Sequence, residues 1–220
     1  MSREEQSTSD KQFYQVFDGA FRTRVREDYP EAIRRINKNN VEVFEREVRA
    51  LFGVIEDVAI EKTDFGDQIK ITLDENEEKK HPVLSFGVES KNGRDVLRKL
   101  PSVDFTKEVR IMPYRFTPED SPEEKSGISF TQQDSDGKFT VKIENFFYDA
   151  EKKSYKHEFP TIDWDNATES QQKIYKVQRD DFLVQYLKEN VIPKFNSTVN
   201  TEVKPTEYPA EEVRPEDIPF

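Results

Sequence analysis

From Phe13 to Tyr148 hydrophobic and polar residues alternate mostly with a period of two, the spacing of strands that bury one face. The first such stretch, Phe13 to Arg26, sets Phe21, Thr23 and Val25 on one face and Arg22, Arg24 and Arg26 on the other. Pro30 to Asn40 begins as a helical turn and ends in a turn signal, which makes Arg34, Arg35 and Lys38 a basic connector. Glu42 to Lys62 reads as one long, bent strand, with helix as the alternative for Phe44 to Ile55, where Phe44, Val48, Leu51, Phe52 and Ile55 also keep a helical spacing. Asp64-Phe65-Gly66-Asp67 closes a hairpin into Gln68 to Leu73.

Beyond that hairpin the pattern is strand, helix, strand. His81 to Glu89 is a third strand, Asn92 to Leu100 a short helix stopped by Pro101, and Phe105 to Phe116 a further strand in which Pro113 marks an edge or bulge. Gly127 to Gln133 and Lys138 to Tyr148 form a hairpin around Ser135-Asp136-Gly137, and Tyr155 to Phe159 adds a short strand. Asp180 to Phe195 carries Leu183, Tyr186, Leu187 and Val191 on one stripe of an amphipathic helix, which either packs on the sheet or mediates self-association. The expected class is mainly β. The order β-β-β-α-β-β is that of an OB-fold, a five-stranded barrel, here with an N-terminal strand extension, a short helix between strands 3 and 4, a C-terminal helix and a disordered acidic tail.

Length and composition agree with one domain at residues 13–195, preceded by a disordered N-terminus (1–12) and followed by a flexible acidic tail (196–220). With no cysteine there is neither a disulfide framework nor a thiolate metal site, and no apolar segment is long enough to span a membrane, so a cytoplasmic protein is expected. The net charge of −11 argues against nucleic acid until its distribution is followed along the chain. The last twenty residues hold six acids and two bases, whereas residues 11–52 hold nine bases against seven acids, and residues 91–115 seven against three. Cationic segments coexist with an acidic tail able to cover them.

Two resemblances give these segments a function. The tail TEVKPTEYPAEEVRPEDIPF closes on Asp-Ile-Pro-Phe and looks like the C-terminal tip of bacterial single-stranded DNA-binding proteins. That resemblance implies a docking peptide for replication, recombination and repair enzymes, with Glu216, Asp217, Ile218, Pro219 and Phe220 as the partner-binding residues. The run from Glu45 to Gln133, with FGVIEDVAIEKTDFGDQIKITL, RDVLRKLPSVDFTKEVRIMPYRF and KSGISFTQQ, is similar to bacteriophage proteins proposed to bind single-stranded DNA through an OB-fold. If the chain is phage-encoded, its compartment is the host cytoplasm.

Single-strand binding needs a cationic track for the backbone and rings for the bases. The candidate track is Arg22, Arg24, Arg34, Arg35, Lys38, Arg46, Arg49, Lys70, Arg110 and Arg115; the candidate stacking rings are Phe65 at a hairpin tip, then Tyr114 and Phe116, which share parity with Arg110 if Pro113 does not shift the register. Neither catalysis, cofactor nor metal is expected, since His81 and His157 are not spaced as a metal pair, Asp163-Trp164-Asp165 stands without converging carboxylates, and no phosphate-loop glycine fingerprint is present. The rival classes are an interaction protein that mimics the host tip without binding DNA, and a carboxylate-metal nuclease. The oligomeric state is left open.

Overall fold

The computed structural model describes residues 11–37, 39–64, 66–74 and 81–196. The chain is mainly β, and the described strands form one ten-stranded sheet and a separate two-stranded ladder. The N-terminal strands are β1 (Lys11–Phe17), β2 (Ala20–Val25), β3 (Ile33–Ile36) and β4 (Glu42–Val48). A meander β5 (Leu51–Thr63), β6 (Gly66–Asp74) and β7 (His81–Gly87) follows, then helix α1 (Lys91–Lys99) with a 3-10 turn at Leu100–Ser102. The chain continues through β8 (Glu108–Phe116), β9 (Lys125–Gln133) and β10 (Phe139–Lys142) to a short ladder of β11 (Tyr148–Asp149) and β12 (Ser154–Tyr155). Helices α2 (Glu169–Asn190) and α3 (Pro193–Asn196) complete the described chain. The order across the large sheet is β10-β9-β8-β5-β6-β7-β1-β2-β4-β3.

Several expectations are corrected. Pro30 to Asn40 is not only a connector: Ile33–Ile36 pairs with β4 from Ile33↔Glu45 to Ile36↔Glu42, because the polar edge position tolerates the two arginines that obscure its strand character. Glu42 to Lys62 is two strands broken at Arg49-Ala50, and no part of Phe44 to Ile55 is helical. Phe13 to Arg26 is a hairpin whose turn residues Asp18 (φ 52°) and Gly19 (φ 78°) lie in the left-handed region suited to a two-residue hairpin. The strand expected over Lys138 to Tyr148 ends at Lys142. The β8–β9 register runs without a shift from Val109↔Gln132 to Phe116↔Lys125, so Pro113 makes no bulge; it lies past Ile111, where pairing with β5 stops. The C-terminal helix begins at Glu169, earlier than its apolar stripe, because Thr168 accepts from the Gln171 backbone while the Gln171 side chain accepts from the Thr168 backbone.

The expected closed barrel is not formed: among the described residues, no ladder joins β7 to β9. Instead β7 pairs in parallel with β1, from Lys11↔His81 to Tyr14↔Leu84. Where β10 does not reach along the edge of β9, at Ile128, helix α1 satisfies it. Asp95 Oδ2 accepts the Ile128 N–H at 2.8 Å, Lys99 Nζ donates to the Ile128 carbonyl at 2.5 Å, and the two side chains pair with each other at 2.8 Å. An unpaired buried backbone group would cost about 1 to 3 kcal/mol, so these contacts replace the missing strand. Helix α1 starts close against the end of β7 because residue 93 is glycine; a Cβ there would lie 2.0 Å from the Gly87 carbonyl oxygen.

The core lies between the sheet and the helices. Leu51, Ile55, Ile69, Ile71, Leu84, Val109, Ile111, Ile128 and Phe130 from the sheet meet Val96, Leu97 and Leu100, α2 adds Leu183 and Leu187, and Val191 follows at its C-terminal cap. Phe147, fully buried, anchors an aromatic cluster with Phe159, Phe182 and Tyr186 that fastens the 143–160 segment to α2. Among the described residues, no helix packs on the outer face of β6, β7, β1, β2, β4 and β3.

A candidate nucleic-acid interface on the outer sheet face

Strand parity builds the site. Gln15↔Arg22 pairing across the first hairpin puts Phe13, Gln15 and Phe17 of β1 on the same face as Arg22 and Arg24 of β2. Tyr14 and Phe21, of opposite parity, go into the core. The rings on the open face remain 54% (Phe13) and 47% (Phe17) exposed. Cations cover them: the Arg22 guanidinium stands 4.0 Å over the Phe17 centroid, Arg35 lies 5.9 Å from it, and Lys70 Nζ lies 5.9 Å from the Phe13 centroid. Phe13, Phe17, Arg22 and Arg35, with Lys11, Arg24 and Glu45, line a groove of about 480 Å³.

Carboxylates hold the arginines in place. Glu45, only 8% exposed, takes Arg35 in a fork at 2.6 and 3.1 Å and faces Arg22 at 4.0 Å. This pairing raises the Arg35 pKa above its ordinary value. Glu47 receives Arg22 at 3.1 Å, and Glu61 receives Lys70 at 2.5 Å. Arg24 makes no ion pair with the described residues. The face is therefore an array of positioned cations packed on half-exposed rings, partly neutralised by its supports.

The other expected residues are distributed elsewhere. Arg34 lies on the opposite face of β3, paired with Glu42 at 2.5 Å. Arg46 stacks 5.3 Å from the Tyr29 ring and donates to its hydroxyl. Arg49 stands at the β4–β5 corner. Arg110, opposite Phe52 and Thr131, has a buried Nε without a partner. Tyr114 and Phe116 do share parity, their centroids 6.0 Å apart, and help line a separate groove of about 790 Å³ with Lys91, Lys125 and Lys142. Burial, seconded by nearby Asp95, pushes the Tyr114 phenol above its ordinary pKa.

Arg115 joins the two regions, since it binds Asp18 at the β1–β2 tip and Glu124 at 2.6 Å. A third groove, lined by Val16, Asp18, Tyr114 and Arg115, runs along this junction. Lys38, Phe65 and the segment Glu216, Asp217, Ile218, Pro219 and Phe220 lie outside the described residues.

Sequence reasoning missed Phe13 and Phe17. The Asp18-Gly19 turn was the available signal, since it fixes the hairpin register that carries both rings to the arginine face. Among the described residues, no group of three His, Asp or Glu is arranged to hold a metal, and Asp163 spends its carboxylate on the Asp165 N–H and the Asn166 amide. No described helix is long and apolar enough to cross a membrane. A scan of known families finds no family model that matches, and searches of curated proteins and of solved structures find no match to this chain.

Proposed function

We propose that this protein binds single-stranded DNA, without strong sequence preference, on the outer face of an OB-related sheet. In this proposal it acts in replication, recombination or repair, on phage DNA if phage-encoded, and recruits partner enzymes through the segment Glu216–Phe220. The observation that carries the proposal is the pairing of exposed Phe13 and Phe17 with Arg22, Arg35 and Lys70 on one uncovered face. Rings accept bases of any sequence while cations follow the phosphates, and this face offers both at neighbouring strand positions.

The OB relation is supported by connectivity. Within β5 to β9 the first strand pairs with the second and the fourth, the second with the third, the fourth with the fifth, and α1 lies between the third and the fourth. That is the order of an OB-fold opened at the seam between its third and fifth strands. Lys70 lies on the second strand of that set, whose outer face, with that of the third, is the usual oligonucleotide surface of the fold.

The carboxylates at Glu45, Glu47 and Glu61 favour a second reading, an interaction protein that captures replication or repair enzymes and binds no DNA. Fluorescence polarisation with labelled oligo-dT at low salt separates the two, applied to the full chain and to a chain lacking residues 211–220. Binding by both, tighter after the deletion, is expected if the acidic segment competes with DNA. Absence of binding by both refutes the proposal and leaves the second reading. Deleting Phe220 alone is expected to abolish partner capture while oligo-dT binding stays nearly intact; retained capture would remove the tip from the proposal.

A further inference from the structure

Away from the sheet face, where α1 meets α2, three arginines gather and two of them share one carboxylate. Asp180, whose side chain is 14% exposed, receives the Arg179 Nε and Nη2 on Oδ1, each at 2.8 Å, and Arg94 on Oδ2 at 3.4 Å. Both of its oxygens are thereby committed. Arg98, one helical turn beyond Arg94, has no carboxylate partner among the described residues: its Nε is buried with no hydrogen bond, and the nearest acid on α1, Asp95, is held by Lys99 and the Ile128 N–H. Burial and then the like charge of Arg179 lower the Arg98 pKa, and the phenols of Tyr155 and Tyr175 stand near enough to act on it electrostatically. Phe159 lies under its guanidinium at 5.6 Å.

A guanidinium packed over an aromatic ring near a second guanidinium, without a carboxylate partner among the described residues, is an unfavourable arrangement. It becomes favourable when an anion supplies the missing charge. The geometry points to a phosphate-binding site at Arg98, beside Arg179, distinct from the single-strand surface and independent of whether that surface binds DNA. Guanidinium forks bind tetrahedral oxyanions as readily as carboxylates, and a phosphate has more oxygens than a single carboxylate with which to meet two of them. Access is open on one side: Arg98 is half-buried, while Tyr155 is 47% and Trp164 50% exposed. The phosphate is either free in solution or part of a nucleic-acid backbone, and one variant distinguishes the two.

The test compares melting temperatures of the full chain in saturating inorganic phosphate and in chloride of equal ionic strength, for the natural protein, Arg98→Met and Arg179→Met. The natural protein is expected to melt about 2 to 4 °C higher in phosphate, as for a ligand several-fold above its Kd, and both variants are expected to lose that shift. In chloride, Arg98→Met is expected to match or exceed the natural protein, because it removes an uncompensated charge and keeps an apolar stem over Phe159. Phosphorus NMR line broadening of inorganic phosphate supplies a second readout for any variant that folds poorly. Oligo-dT affinity weakened by Arg98→Met assigns the phosphate to a DNA backbone; unchanged affinity assigns it to free phosphate. No phosphate shift in the natural protein, or an equal shift in Arg98→Met, overturns the site.

Discussion

Replacing Phe13 and Phe17 by alanine is the sharpest perturbation of the proposed DNA surface. Both rings are about half exposed on an uncovered face, so their loss opens no cavity, and the fold should change little. A base stacked on a ring contributes roughly 1 to 3 kcal/mol, so each single variant is expected to weaken oligo-dT binding by about 5- to 150-fold. Phe17→Ala also removes the ring under Arg22, a cation–π contact of about 0.5 to 1 kcal/mol at an exposed site, but Glu47 still holds that arginine in place. The rings stand four residues apart along one strand, about 13 Å, so their effects should add in the double variant. Polarisation titrations at one salt concentration, with melting curves as the control for folding, measure this directly. A folded double variant with natural affinity would refute the assignment of these rings.

Three further outcomes follow from the same contacts. Glu45→Gln is expected to lower stability by about 1 to 3 kcal/mol in urea denaturation, since it loosens the fork to a partly buried arginine, and to tighten oligo-dT binding by removing a negative charge from the phosphate track. Gly93→Ala drives a Cβ to 2.0 Å from the Gly87 carbonyl oxygen and should cost more than about 3 kcal/mol, or prevent folding; a near-neutral thermal shift would contradict the close packing of α1. Asp134, which accepts the Asp136 and Lys138 N–H groups and the Thr140 hydroxyl, has its pKa lowered by these bonds. Its contribution is present above the ordinary value of 3.8 and lost as pH falls through the lower folded value, so Asp134→Asn should flatten the acid limb of the stability profile; an unchanged limb would contradict this.

The sequence made the local elements legible where one physical signal dominated. Period-two runs marked the strands, Asn92 to Leu100 marked α1, and Phe21 and Thr23 turned inward with Arg22 and Arg24 outward, as their alternation required. The open seam was not legible, because the pairing of β1 with β7 joins strands distant in the chain and no local pattern records it. Nor does any local pattern show that Asp95 and Lys99 satisfy the edge of β9. The first half of α2 was missed for another reason: Ile174 and Val177 are exposed there, and only Tyr175 is buried, so the apolar stripe that marks a packed helix is missing. The capping signature Thr168 to Gln171 was nonetheless present. Among the candidate cations, charge alone could not separate Arg34 from Arg35, which parity places on opposite faces of β3.

The central claim is that a cation-and-ring face of an acidic protein engages the DNA backbone. A salt titration of oligo-dT affinity tests it most directly, because displacement of counter-ions makes log K fall linearly with log salt at about 0.7 per phosphate contacted on a single strand. With Arg22, Arg24, Arg35 and Lys70 in contact, the slope should be close to −3, and it should become shallower by about one contact when Arg24, the cation without a carboxylate partner among the described residues, is changed to Gln. An affinity independent of salt, or no binding at low salt, would contradict the account.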